Sequence, residues 1–345
     1  MKTFDPHPLL RNPHMQTMAS TYWRRRFPRL PASTPREFET EPGTRILGEC
    51  HWQPFPRECP TLVLVHGLEG SSQSGYMQGL AERAFAAGWN AVRLNQRNCG
   101  GSERLTPTLY HSGLSVDYRA VLHELIERDA LPGICFAGYS MGGNLVMKMA
   151  GELGASAPRQ LLGMACVSPS MDLAVCADAI ALPENFLYEW HFVRSLKARM
   201  RRKAELFPGK FDLEPMARVR TIRDFDDIIT ATYCGFRDAA DYYERSSALR
   251  VAGNIRIPTL ILTAQGDPFI PFSSFSDPAL TNNPSIALSA PRRGGHCAFI
   301  AYESGEERFW AEARIMEYFR RVSEGEFRRR GFPEAPEAGE VSTQR

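Results

Sequence analysis

An α/β fold, with a mostly parallel central sheet, helices on both faces and a helical insertion, is the prediction for this chain of 345 residues. Three observations carry it. Stretches of strand length, apolar or mostly so, recur at 61–65, 89–94, 134–137, 161–167 and 259–263. An unbroken apolar run marks a strand buried on both faces, as in a parallel sheet. Helical patterns alternate with these strands, the order that lays helices over a parallel sheet. Polar or glycine-containing turns follow the strands at their carboxyl ends, where open α/β sheets place their sites.

Composition sets the outer limits. Hydrophobic residues make up 43% and charged residues 23%, ordinary for a globular protein in water. A formal net charge of +2 gives no general reason to bind nucleic acid. No apolar run approaches the ~18 residues of a membrane span, and residues 1–6 carry no apolar signal core. The eight cysteines are scattered without a Cys-x-x-Cys pair, and Cys135 and Cys166 lie inside strand patterns. We therefore expect a reduced, cytoplasmic protein with no disulfide, metal or organic cofactor.

Taken in order, residues 1–60 read as an N-terminal arm and a β-hairpin that breaks at Pro42-Gly43. Residues 61–168 form the first half of the core. The strand at 61–65 runs into His66-Gly67-Leu68-Glu69-Gly70, and His66 is expected to brace that loop. A helix over 76–87 stops at Gly88, a residue suited to a helix C-terminus. The strand at 89–94 leads into Asn95-Gln96-Arg97-Asn98-Cys99-Gly100-Gly101-Ser102, which lacks the dinucleotide-binding spacing. Arg97 is expected to hold loops together. Residues 115–129 make an amphipathic helix with Ser115 as its N-cap.

Residues 169–250 contain no convincing strand and read as a helical insertion, a lid. Its longest helix, 184–207, carries Phe186, Trp190, Val193, Leu196 and Met200 three and four apart. Phe186, Trp190 and Phe192 suggest an apolar acyl pocket. The basic run 197–203 on the same helix is first a solvated face. Its apolar companions give a minority reading, peripheral contact of the lid with an anionic membrane surface. Residues 251–323 return to sheet character and end in a helix over 303–321, and 324–345 read as a disordered tail.

Chemistry is carried by Gly138-Tyr139-Ser140-Met141-Gly142, set between the strand at 134–137 and an apolar helix. A strand that turns at once into a helix forces strained backbone on the central serine and leaves no room for side chains two residues away. Asp267 and His296 follow later strands, so Ser140, Asp267 and His296 should emerge at one edge of the sheet. Serine needs a base, histidine supplies one near neutrality, and a carboxylate orients the imidazole. The Leu68 and Met141 N–H groups are the candidate oxyanion donors.

These residues resemble the α/β-hydrolase superfamily over about 10–320. The motifs Arg11-Asn12-Pro13-His14-Met15-Gln16-Thr17, His66-Gly67-Leu68-Glu69-Gly70, Gly138-Tyr139-Ser140-Met141-Gly142-Gly143-Asn144 and Gly294-Gly295-His296 are similar to the family of bacterial YheT-type esterases. That family also takes in abhydrolase-domain lipid hydrolases and medium-chain ester synthase/esterases. The resemblance implies a serine carboxylic-ester hydrolase with Ser140, Asp267 and His296 as its triad, with acyl lipids or medium-chain esters, small-molecule esters with an apolar acyl chain, as candidate substrates. An acyltransferase would use the same three residues. A non-catalytic lipid-binding protein would have no use for them in this order. Oligomeric state is not readable, nor is the role of Cys297 beside His296.

Overall fold

The computed structural model describes residues 2–329. Eight strands form one sheet in the order β1-β2-β4-β3-β5-β6-β7-β8. The hairpin β1 (Thr34–Glu41) and β2 (Thr44–His51) is antiparallel, with Gly43 at φ 74° between its strands. β2 also pairs antiparallel with β4. β3 (Thr61–Val65), β4 (Asn90–Leu94), β5 (Ile134–Tyr139), β6 (Leu161–Val167), β7 (Thr259–Leu262) and β8 (Ile286–Ser289) are parallel. Every residue of β3 to β7 is buried, which is why these strands read as apolar blocks rather than alternating ones.

Each face of the sheet has its own core. One packs Val63, Val92, Phe136 and Met164 beneath α3 (Ser115–Glu127) and α4 (Met141–Leu153). The other packs Leu62, Ala137, Ala165 and Leu260 beneath α2 (Gly75–Ala86) and the C-terminal helix Trp310–Arg329. An N-terminal helix, α1 (Pro13–Tyr22), is capped by the Asn12 side chain. It buries Gln16, whose amide exchanges hydrogen bonds with the backbone of Ile300.

Several local expectations are corrected. Leu114, not Ser115, occupies the N-cap position of α3 and makes no side-chain cap, and the Ser115 hydroxyl donates to Glu152 instead. The C-terminal helix starts at Trp310 rather than at 303 and continues to Arg329, so 324–329 are helical. The rest of the expected disordered tail, 330–345, lies outside the described residues.

Between β6 and β7 the chain is helical. α5 (Leu173–Ile180) has an Asp172 cap and was not singled out in the sequence. α6 (Phe186–Leu206) follows, then a π-helical turn at Asp226–Ala231 and the helix Ala239–Ser246. This segment has a small core of its own around Val193, Leu196, Met200 and Phe225. Phe186 and Trp190, expected on the same buried face, are exposed. The basic run is split as well: Arg201 and Arg202 face solvent, whereas Arg199 and Lys203 are buried.

Candidate active site

The carboxyl ends of the parallel strands are level. Val65 pairs with Gly138 and Gly138 with Cys166, while Val167 pairs with Leu262 and Leu262 with Ser289. The three expected residues leave the sheet at this rim. Ser140 sits between β5 and α4 at φ 52°, ψ −118°, a conformation costly for any residue with a side chain. Its flanking glycines are required by space. A Cβ on Gly138 would lie 2.3 Å from the Gly142 carbonyl oxygen, and one on Gly142 would lie 2.4 Å from that of Val65.

The structure brings Ser140, His296 and Asp267 together. The His296 Nε2 lies 2.8 Å from Ser140 Oγ, and His296 Nδ1 lies 3.1 Å from Asp267 Oδ2. Asp267 is fixed in turn, its Oδ1 accepting the N–H groups of Phe269 and Ile270 at 2.9 and 3.1 Å. Burial works against a charged imidazole at His296. The Cys297 sulfur and the Asp267 carboxylate more than offset it, so the ring is held well above the ordinary histidine value. Cys297, at φ 53°, has its sulfur 3.8 Å from His296 Nε2 and donates it toward the Val167 carbonyl.

The loop after β3 lies beside the serine. A Cβ on Gly67 would come within 3.2 Å of the Ser140 Cβ. Its own N–H donates to the Tyr76 hydroxyl at 3.2 Å, and Tyr76 packs on Tyr139 with ring centroids 4.3 Å apart. Leu68 and Met141 line the same cavity as Ser140 and His296. Glu69 follows at φ 58°, its carboxylate accepting the Tyr110 hydroxyl at 2.7 Å and pairing with Arg199 Nε of α6 at 2.9 Å.

His66 does brace loops. It is fully buried, and its Nε2 accepts the Gln96 N–H at 3.1 Å, which fixes that nitrogen as unprotonated. Burial pushes it down to about 4. Arg97 joins Asp117, Glu41 and Thr108. One contributor was missed: Thr17 of α1 accepts the His296 N–H on its hydroxyl at 2.9 Å. The motif 11–17 was noticed in the sequence, but a threonine on a helix gives no sign of a partner 279 residues away.

The cavity over Ser140 is mainly apolar. Leu68, Leu173, Ile180, Phe192, Leu196 and Phe269 contribute to its wall. Phe192 lines this cavity, whereas Phe186 and Trp190 do not. Asp226 also borders the cavity; burial pushes it up to about 6 against hydrogen bonds from Thr230 and Tyr243. Among the described residues no group of three or more His, Cys, Asp or Glu is placed to hold a metal ion.

Strand order, strained serine and aligned histidine and carboxylate define an α/β hydrolase, and the chain belongs to that family. The model of the alpha/beta hydrolase fold matches residues 60–301. Within it, the chain belongs with the YheT-type proteins. It is 32% identical to a protein of Escherichia coli K12 named "Putative esterase YheT", across 89% of this chain and 90% of that one. It is 30% identical to "Phospholipase ABHD3" of Mus musculus across 70% of this chain, and the match spans 58% of that longer protein. Among solved structures, the Pyrococcus furiosus esterase Pf2001 superposes with a TM-score of 0.57 at 16% identity, covering 93% of this chain and 98% of that one, a likeness of fold.

Proposed function

We propose that the protein is a serine carboxylic-ester hydrolase working through an acyl-enzyme. The observation that carries this reading is the unbroken line from Ser140 Oγ to His296 Nε2 to the Asp267 carboxylate. Ser140 Oγ attacks the ester carbonyl while His296 Nε2 takes its proton, and Asp267 accepts the Nδ1–H and stabilises the imidazolium. The Leu68 and Met141 N–H groups receive the oxyanion, aided by the positive end of the α4 dipole. His296 returns the proton to the departing alcohol. Water, deprotonated by the same nitrogen, then releases the acid.

The apolar cavity wall favours an ester whose acyl group is apolar, of short to medium chain or lipid length. The segment 169–250 supplies much of that wall and acts as the lid. The test is labelling by a fluorophosphonate, together with hydrolysis of esters graded by acyl length. Wild type is labelled and turns over. Ser140→Ala keeps its fold, takes no label and loses ~10⁴-fold or more in kcat. Hydrolysis surviving in folded Ser140→Ala would overturn the assignment.

A further inference from the structure

Among the described residues, eight of eleven exposed large apolar side chains fall on two segments, 9–22 and 182–190. On α1, Met15, Met18 and Tyr22 stand three and four residues apart and face out, while Gln16 and Thr17 face the protein. On α6, Leu187 and Trp190 are 73% and 52% exposed, and Arg194 continues the same face four residues on. Its guanidinium lies 5.5 Å from the Trp190 ring centre. The two helices meet: His14 stacks on Tyr188 at 5.8 Å. Tyr188 packs on Phe269 at 4.7 Å, and Phe269 on His296 at 4.6 Å. The apolar face therefore borders the catalytic histidine.

Charge around this face is predominantly positive. Arg11, Arg24 and Arg26 are exposed on the arm, and Arg194, Arg201 and Arg202 on α6. Residues 9–26 contain no Asp or Glu, and between 182 and 202 the exposed acid is Glu184. An apolar stripe with aromatic residues, rimmed by arginines, matches the interface of an anionic bilayer: apolar side chains enter the headgroup boundary and guanidinium groups meet lipid phosphates. A second copy fits poorly, because two-fold pairing would set the arginine rims against each other.

We propose that α1 and the first half of α6 form a docking face for an anionic lipid surface, with the active-site histidine at its edge. The face is a composite of the arm and the insertion, so it does not reduce to the basic run on α6. Vesicle sedimentation tests it on the full chain, using phosphatidylcholine alone and a 3:1 mixture with phosphatidylglycerol. Leu187→Glu/Trp190→Glu and Met15→Gln/Met18→Gln are compared with wild type, with melting curves to confirm folding. Wild type should bind the anionic vesicles at least ~10-fold more tightly than the neutral ones. Each double variant should lose ~10-fold, since each removes half of the face. Ser140→Ala should bind as wild type does, which separates docking from turnover. Three results would overturn the proposal. They are no vesicle binding by wild type, equal binding to both vesicles, or a dimer that the α6 variant disperses in the absence of lipid.

Discussion

His296 is held from three directions, and each hold has a different consequence. Thr17 fixes its backbone, Asp267 its Nδ1 side, and the serine hydroxyl lies at Nε2. As a base the ring must be neutral, and its value stands well above the ordinary 6.5. Activity on a neutral ester is therefore lost as pH falls through that raised value and recovered above it. A pH profile of kcat/KM should show a single-proton limb above 6.5 in wild type. In Asp267→Asn burial is opposed by less, so the limb should move down, with a fall of ~10⁴-fold in kcat. A limb that stays in place would remove Asp267 from this role. At this scale the serine was legible because a tight strand-to-helix turn demands glycine on both sides of it: a Cβ on Gly138 would strike the Gly142 carbonyl, and one on Gly142 that of Val65 on the adjoining strand. Thr17 and Tyr76 were not legible, since their hydroxyls become meaningful only once remote backbone arrives.

α6 is the element whose structure departs most from its pattern. Counting apolar residues three and four apart put Phe186 and Trp190 with Val193, Leu196 and Met200. The helix instead buries only the later three, because its first two turns set Tyr188 and Glu189 against the protein, which leaves Phe186 and Trp190 on the outer side. The basic run divides for a related reason. Arg199 and Lys203, four apart, point inward, where Lys203 donates to the Glu103 and Thr106 carbonyls. Arg199 ties α6 to the loop after β3 through Glu69, a non-glycine residue at positive φ next to Leu68, the proposed oxyanion donor. Releasing that tie should let the loop relax and withdraw the Leu68 N–H. Glu69→Gln should therefore lower kcat by ~10–100-fold with KM changed little, a loss below that of deleting an oxyanion donor outright. Steady-state kinetics on a soluble ester decide it. A rise in KM at constant kcat would show that Glu69 serves binding alone.

At the scale of the molecule, the N-terminal arm and the C-terminal helix close on each other beside the sheet. Arg25 meets Glu312 of the C-terminal helix with both terminal nitrogens, at 2.5 and 2.8 Å, and Arg83 of α2 reaches the same carboxylate at 3.2 Å. The Glu312 side chain is 5% exposed, so its loss leaves two guanidinium groups in a poorly hydrated place. Glu312→Ala should cost about 3–5 kcal/mol, measured as a lower melting temperature or denaturant midpoint. An unchanged midpoint would mean that the arm docks without this pair. The arm carries Thr17 to His296, so its seating and the catalytic geometry belong to one assembly.

Linear order was enough to read the sheet, the strained serine and the succession Ser140, Asp267, His296, because burial on both faces and a tight strand-to-helix turn dictate residue type over a few neighbours. Distance along the chain hid the rest. The rotation of α6, the Arg199–Glu69 tie, the Thr17 hold on His296 and the shared face of α1 and α6 all join segments widely separated in sequence. Such contacts depend on how packed elements are oriented about one another, and side-chain spacing within a single element does not fix that orientation.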